Sequence, residues 1–157
     1  MRRQQASGDE LQFVVFRVGS RELALSIVQV ERILRYEPPE PWSDAPAFLE
    51  GLVPFGGGRV PLLDLRRRMG TEPTSREETR ILVLAVEGLP LAVVADAVSE
   101  VLRVDTRTIQ PPAASLTGFP AEALSGMIER DGRRILILNV ARLLTQAERL
   151  ALTEAAT

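Results

Sequence analysis

The sequence repeats itself, and this internal duplication is the feature that most constrains the fold. With a shift of 68 positions, residues 23–35 align with 91–103, so that Leu23-Ala24-Leu25 matches Leu91-Ala92-Val93. With a shift of 75 positions, residues 49–53 align with 124–128 and residues 59–65 with 134–140. The change of offset falls in proline-rich loops, where insertions are tolerated. The chain is therefore predicted to contain two copies of one unit, at about 13–69 and 81–144.

Each unit carries the signals of a hairpin, a third strand, a loop, a second hairpin and a short helix. Tight turns that need positive φ are predicted at Gly19-Ser20, Gly56-Gly57-Gly58, Glu87-Gly88 and Asp131-Gly132. About five short strands in each unit favour small β-barrels over a parallel sheet. A barrel of about 60 residues buries little apolar surface by itself, so the two barrels are expected to share a core with a groove between them.

Short helices are predicted at three places. Ser26 and Gln29 have the spacing of a capping box, which predicts one helical turn over 26–30. Asp64 is suited to N-cap a helix from Leu65 to Met69, and Asn139 to cap a final helix with one apolar face. We expect a flexible tail at 1–10, a single domain at 11–152 and a second tail at 153–157, and an exchange of strands between the two half-repeats is left open.

Composition excludes several classes of function. The 157 residues include no Cys and no His, which removes disulfides, thiol catalysis, Ser-His triads and the commonest zinc ligands. A formal charge of −2 and a pI near 5.3 give no basic footprint for nucleic acid. No apolar run approaches the length of a membrane span, and the polar N-terminus has no signal-peptide pattern. The expectation is a cytoplasmic protein without cofactor, metal or catalytic residue.

Several conspicuous residues have an ordinary structural interpretation. The run Arg66-Arg67-Arg68 is expected to be a solvated face. Asp64, Asp96 and Asp131 are expected to serve as a helix cap, a turn-side residue and a hairpin turn rather than as catalytic acids. Trp42, in a loop with four prolines, is either a binding anchor or a lid over a barrel end.

The chain resembles the CheW coupling-protein family of bacterial chemosensory systems over roughly 11–152. The matching residues are Phe13, Phe16 and Gly19; Ile27, Val30 and Ile33; Pro46, Phe48 and Gly51; Gly57, Pro61 and Asp64-Leu65-Arg66; Val94, Asp96, Val98 and Val101; and Pro111-Pro112, Gly126 and the 139–144 segment. The resemblance implies two SH3-like five-stranded β-barrels around a common core. It also implies a non-catalytic adaptor that couples methyl-accepting chemotaxis receptors to a CheA-type histidine kinase in signalling arrays.

The resemblance also implies two sets of contact residues. Receptor binding is expected at Ile27, Val30, Gly51, Phe55, Gly56 and Gly57. Kinase contact is expected at Arg32, Ile33 and Tyr36.

The chain departs from the family pattern at several positions, which include Gly58-Arg59 where an apolar pair is usual. Pro54 and Gly56 replace the usual Asn and Arg, and Arg32 replaces an acidic residue, with Glu31 displaced by one position. In a regular strand that displacement moves the carboxylate to the opposite face. The resemblance therefore suggests a divergent member with altered receptor or kinase contact.

Two other classes of function remain as alternatives. The first is a small β-barrel that binds nucleic acid or oligosaccharide, against which stand the acidic pI and a single Trp and a single Tyr. The second is a carboxylate-dependent hydrolase, which needs two acids converging in one pocket.

Overall fold

The computed structural model describes residues 9–113 and 115–156, so most of the tail predicted at 1–10 lies outside the described residues. The strands in chain order are β1 (Glu10–Val18), β2 (Arg21–Ser26), β3 (Val30–Arg35), β4 (Gly51–Phe55), β5 (Gly58–Asp64), β6 (Arg80–Val86), β7 (Leu89–Ala95), β8 (Ala97–Asp105), β9 (Leu124–Arg130) and β10 (Arg133–Leu138). Two α-helices, α1 (Leu65–Arg68) and α2 (Gln146–Ala156), and short 3₁₀ turns complete the described part of the chain.

The strands form two five-stranded sheets, each of which takes strands from both half-repeats. Barrel 1 has the order β8-β1-β2-β10-β9, and barrel 2 has the order β3-β6-β7-β5-β4. The repeat matches β1–β5 with β6–β10 in order, so the two sheets have equivalent topologies. In each sheet one parallel pair, β2 with β10 or β7 with β5, joins the halves, and the other pairs are antiparallel. The half-repeats are therefore not the barrels, since each half contributes two strands to one barrel and three to the other.

Three apolar clusters hold the sheets together. The barrel 1 cluster contains Phe13, Val15, Ala24, Leu102, Val104, Ile128, Ile135 and Ile137. The barrel 2 cluster contains their repeat counterparts, which are Ile81, Val83, Ala92, Val53, Val60 and Leu62 with the half-buried Leu34 and Tyr36 at its edge. The largest, the central cluster, includes Phe16, Leu23 and Leu25 from barrel 1 and Leu82, Leu84 and Leu91 from barrel 2. This confirms the predicted shared core.

The hairpin turns have the backbone that the sequence predicts. Gly19 has φ of 60°, and Gly56 and Gly57 have φ of 60° and 81°. Glu87 and Asp131, each followed by glycine, also have positive φ, at 49° and 54°. Two successive positive φ values are typical of type I′ turns, whose twist matches that of the strands they connect.

The helices differ in detail from the prediction. The turn after β2 is a 3₁₀ turn, Ile27–Gln29, but the Ser26 side chain makes no capping bond. The final helix begins at Gln146, and a separate 3₁₀ turn, Val140–Arg142, follows Asn139. A capping box fixes the helix start, because the Glu148 amide donates to Thr145 Oγ1 and the Thr145 amide to Glu148 Oε1. Helix α2 continues to Ala156 and so runs through most of the segment predicted as a tail at 153–157.

The arginine run at α1 is not a uniformly solvated face. Arg67 is exposed, but Arg66 is buried, with 1% of its side chain accessible. Arg68 is mostly covered, with its guanidinium 5.4 Å from the centre of the Phe119 ring. Trp42 is half-buried against the central cluster, which agrees with the packing interpretation.

Candidate functional site

A β-bulge in β3 decides which of its side chains share a face. Val30 pairs with Leu84 and Arg32 with Val83, so Glu31 is the unpaired extra residue. Directly paired residues of neighbouring strands project to the same face. The bulge therefore lets Val30 and Ile33 face the same way, although they are three positions apart. For the same reason the expected move of the Glu31 carboxylate to the other face of a regular strand does not apply.

The first face of β3 looks onto the central cluster. Val30 and Ile33 pair with Leu84 and Leu82, which both belong to that cluster. Val30 is half-buried against the cluster, and Ile33 is 40% exposed at its rim.

A second bulge gives β8 the same arrangement. Ser99 is the unpaired residue, and its hydroxyl donates to the Val15 carbonyl. Val98 and Val101 pair with Phe16 and Val14, both members of the central cluster. Val98 is half-buried and Val101 is 53% exposed. Ile27, Val30 and Val98 pack against the central cluster, and Ile33 and Val101 project from the same faces of β3 and β8; we refer to these five residues together as the central groove.

The 3₁₀ turn at the end of β2 divides its own apolar residues. Ile27 packs against the central cluster together with Val30. Val28 has 84% of its surface exposed and lines two clefts beside Leu11, one of which Ile27 also borders. Ile27 therefore belongs to the central groove, whereas Val28 does not.

The opposite face of β3 covers the open end of barrel 2. Arg32 and Leu34 pair with Val83 and Ile81, which lie inside that barrel. The Arg32 guanidinium carbon lies 5.8 Å from the centre of the Phe55 ring, on β4. We name the surface formed by Arg32, Phe55 and the exposed glycines 56–58 the barrel 2 mouth.

The predicted receptor and kinase residues are thus grouped differently in space. Ile33, predicted to contact the kinase, shares a face with Ile27 and Val30. Phe55, predicted to bind the receptor, contacts Arg32 on the other face. Repeat alignment could have found Val98 and Val101, the two groove residues that were not predicted as sites, because a shift of 68 positions carries Val30 and Ile33 onto them.

Gly51 is buried beneath the backbone of the proline-rich loop and presents no surface to a partner. Its φ is 148°, and a Cβ atom there would lie 2.4 Å from the Glu40 carbonyl oxygen. The Glu40 and Leu52 backbones exchange two hydrogen bonds across this close approach. Gly126, its repeat counterpart, is approached in the same way by Ile109 and Gln110. We therefore assign Gly51 a structural role.

Buried Arg66 supports the strand end that carries Tyr36. Its Nε and Nη2 donate to the two carboxylate oxygens of Asp64 at 3.0 Å, and Nη1 donates to the Thr74 carbonyl. Its guanidinium carbon lies 5.8 Å from the centre of the Tyr36 ring. Burial alone lowers the pKa of Arg66, but Asp64 and Asp96 outweigh that effect and hold the pKa above its ordinary value.

The three aspartates have the structural roles that the sequence predicts. Asp64 accepts the Arg66 amide as the N-cap of α1. Asp96 accepts the Gly19 amide at 2.6 Å and so fixes the β1–β2 turn. Asp131 is a turn residue with positive φ.

Two barrels with two exposed surfaces, the central groove and the barrel 2 mouth, are typical of a protein that binds other proteins. The groove has an apolar floor with exposed β-branched residues, and the barrel 2 mouth has a stacked arginine. Within residues 9–113 and 115–156 no cluster of three metal-ligating side chains occurs. None of the described helices has the length and apolar character needed to cross a bilayer.

Comparison with known proteins identifies the family. The model of the CheW-like domain matches residues 12–148. The chain is 31% identical to the chemotaxis protein CheW of Rhizobium meliloti (strain 1021), covering 88% of this chain and 90% of that one. It is equally identical, at 31%, to protein FrzA of Myxococcus xanthus, with 90% of each chain covered. The chain belongs to the CheW family, whose members are non-catalytic adaptors.

The fold agrees with a solved member of this family. The scaffolding protein TtCheW of Thermoanaerobacter tengcongensis has a TM-score of 0.77 to this structure, at 24% identity, with 88% of this chain and 90% of that chain covered. The predicted pair of SH3-like barrels is confirmed. The chain is a chemotaxis coupling scaffold, and the alternative of a nucleic-acid or oligosaccharide module is not supported.

Proposed function

We propose that this chain, in the cytoplasm, couples the tip of a methyl-accepting chemotaxis receptor to a CheA-type histidine kinase through opposite faces of β3. The observation that carries the proposal is the bulge at Glu31, which turns Val30 and Ile33 toward the central groove and Arg32 toward the barrel 2 mouth. One edge strand thereby offers two separate surfaces. A scaffold that holds two partners at once needs such separation.

The central groove is suited to the receptor. Its floor rests on the core shared by the two barrels, and Ile33 and Val101 remain 40% and 53% exposed at its rim. Exposed β-branched side chains on a rigid strand lose little rotamer freedom on binding. An apolar surface of the receptor tip buries them on contact, which is favourable by roughly 25 cal/mol per Å².

The barrel 2 mouth is assigned to the kinase. The family resemblance implies kinase contact at Arg32, Ile33 and Tyr36; of these Arg32 belongs to the mouth, and Phe55, Gly56 and Gly57 are added because Phe55 contacts Arg32. Tyr36 is half-buried against the barrel 2 cluster, and Arg66 supports its ring. Tyr36 and Arg66 lie near the Asp64 end of β5, whereas Phe55 and glycines 56–58 lie at its start, so the proposed kinase contact at the mouth depends on Arg32 and Phe55.

Capture of each partner by groove variants tests this division. Ile33→Asp and Val101→Asp introduce a carboxylate that must be desolvated in the groove, so both should weaken binding to a receptor signalling fragment by at least about tenfold. Val28→Asp is the matched control, since Val28 is apolar, 84% exposed and outside the groove. All three variants should still capture the kinase. Equal loss of receptor binding in Val28→Asp, or none in Ile33→Asp and Val101→Asp, contradicts the groove assignment.

A further inference from the structure

The mouth of barrel 1 is closed by a network of charged side chains. Arg133, at the start of β10, donates from Nη2 to Glu100 Oε2 on β8 at 2.8 Å. It also donates from Nε to Glu22 Oε2 on β2 at 3.0 Å. All three side chains are about one-third exposed. The guanidinium thus satisfies two carboxylates at the end of the barrel.

The repeat supplies the matching positions in barrel 2, and their chemistry is different. The shift of 68 carries Glu100 onto Arg32 and Glu22 onto Pro90, and the shift of 75 carries Arg133 onto Gly58. A charge therefore remains at Arg32, but both partner positions have lost theirs. Among the described residues Arg32 takes part in no ion pair, and its guanidinium stacks on Phe55 instead.

The space around glycines 56–58 is open. A Cβ atom added at Gly58 would meet only the Phe55 carbonyl oxygen, at 3.9 Å. At Gly56 and Gly57 an added Cβ would have no neighbour within 4 Å. Barrel 2 therefore leaves unfilled the place from which barrel 1 supplies its own countercharge. Stacking on Phe55 also restricts the rotamers of Arg32, which lowers the entropy lost when an acceptor binds.

We propose that the barrel 2 mouth binds a carboxylate side chain of the kinase, with Arg32 as the recognising residue and glycines 56–58 as the open approach. The inference rests on the assignment of this mouth to the kinase and adds the chemistry of the contact. A guanidinium beside an apolar ring recognises an acidic residue next to an apolar one. The receptor is the less suitable occupant, because Arg32 faces away from the central groove.

The sharpest test is a variant that supplies the carboxylate from within the chain itself. Gly58→Glu places a carboxylate opposite Arg32 and so repeats the Glu100–Arg133 pair of barrel 1 with the charges exchanged. The introduced glutamate should compete with the kinase and weaken binding of the full-length CheA-type kinase by about tenfold. Gly58→Gln fills the same space without the charge and should weaken kinase binding clearly less than Gly58→Glu does. At low salt the glutamate variant should also melt at a higher temperature than the glutamine variant, and this difference should vanish in 1 M salt.

Variants of the arginine itself keep the proposal testable if position 58 does not accept a side chain. Arg32 is exposed, so Arg32→Gln should fold normally, lose about tenfold in kinase affinity and lose most of the salt dependence of association. Arg32→Lys should recover part of both. Receptor capture should be unchanged in every variant.

The outcomes separate this inference from the function on which it rests. If the wild-type chain does not capture the kinase, the assignment of the kinase contact fails. If the wild type captures it, and Arg32→Gln and Gly58→Glu bind within twofold of the wild type, the carboxylate site is wrong and the kinase contact lies elsewhere. If Arg32→Gln weakens the receptor rather than the kinase, the occupant is the receptor, and the proposal is overturned.

Discussion

Gly51 and Gly58 lie on the two strands of one hairpin, but only Gly51 has a backbone conformation and surroundings that exclude a side chain. Gly51 has a positive φ, and a neighbouring carbonyl lies where its Cβ would be. Gly58 has neither constraint. Although both are glycines in β-strands, only the first is needed for the fold.

We expect Gly51→Ala to lower the free energy of unfolding by on the order of 2 kcal/mol or more, from backbone strain and displacement of the Glu40 carbonyl. Gly58→Ala, the matched control, should change it by less than about 0.5 kcal/mol. Urea denaturation followed by the fluorescence of Trp42, the single tryptophan, measures both. Equal effects would show that the loop moves aside without cost.

The adjacent glycines of the β4–β5 turn, Gly56 and Gly57, are expected to differ in how well they accept a side chain. Gly56 corresponds by repeat to Asp131, which has φ of 54°, whereas Gly57 corresponds to a glycine, Gly132. Gly56→Asp should therefore change stability by less than about 0.5 kcal/mol, and Gly57→Asp should cost about 1 kcal/mol. Thermal melts measure the stability of the two variants. If Gly56→Asp were the more destabilising of the two, a type I′ turn would be excluded. Since Gly56 has φ of 60°, an arginine there, as in the family pattern, would carry backbone strain.

At the scale of elements, the bulges in β3 and β8 put two apolar side chains on one face of each strand and a charged side chain, Arg32 or Glu100, on the other. Each inserts one residue at the same repeat position, Glu31 or Ser99. Without the bulge, strict alternation would put Val30 and Ile33 on opposite faces. The groove therefore depends on an irregularity of the strand.

Helix α2 is attached to the barrels partly by a titratable contact. Arg68 on α1 donates to the Glu148 carboxylate, which also caps the helix. Burial alone raises the pKa of Glu148, but the hydrogen bonds from Arg68 and from the Thr145 amide outweigh that effect and lower the pKa. A carboxyl group with a lowered folded pKa stabilises the fold above its unfolded pKa of about 4.3, and the contribution is lost as the pH falls through the folded value.

The stability difference between wild type and Glu148→Gln should therefore be largest at neutral pH and should shrink below about pH 4. Glutamine retains the capping geometry, so the variant isolates the charge. Urea unfolding at pH 7, 5 and 3 measures the difference. A difference that does not change with pH would mean that the Arg68–Glu148 pair contributes nothing to stability.

At the scale of the whole molecule, the exchange of strands makes the halves interdependent. Residues 11–70 contain β1–β5 and residues 78–157 contain β6–β10, so neither fragment contains a complete sheet. Each fragment has two strands of one barrel and three of the other. A half-repeat therefore exposes strand edges and most of the central cluster.

We expect each fragment alone to be largely unfolded or aggregated, and an equimolar mixture, refolded together, to recover native β-structure. Circular dichroism and amide NMR spectra measure this, with the intact chain as the control. A dispersed NMR spectrum from either fragment alone would mean that the half-repeat rearranges into a barrel of its own.

The sequence predicted the local features of the fold and its duplication. The turns at Gly19, Gly56 and Asp131 and the Asp64 cap all follow from residues close together in the chain, and the duplication follows from comparing its two halves. Such features are readable because turns and caps depend on φ preferences and on short hydrogen bonds.

Only the tertiary structure decided which strands pair and which side chains share a surface. The sequence predicts a solvated Arg66, because no local pattern indicates its contacts with Asp96, thirty positions away, or with the Thr74 carbonyl. The regrouping of Ile33 with Val30, and of Phe55 with Arg32, follows from a bulge and from the end of a barrel. These are consequences of long-range pairing, which depends on the packing of the whole sheet and is not encoded in any short stretch of sequence.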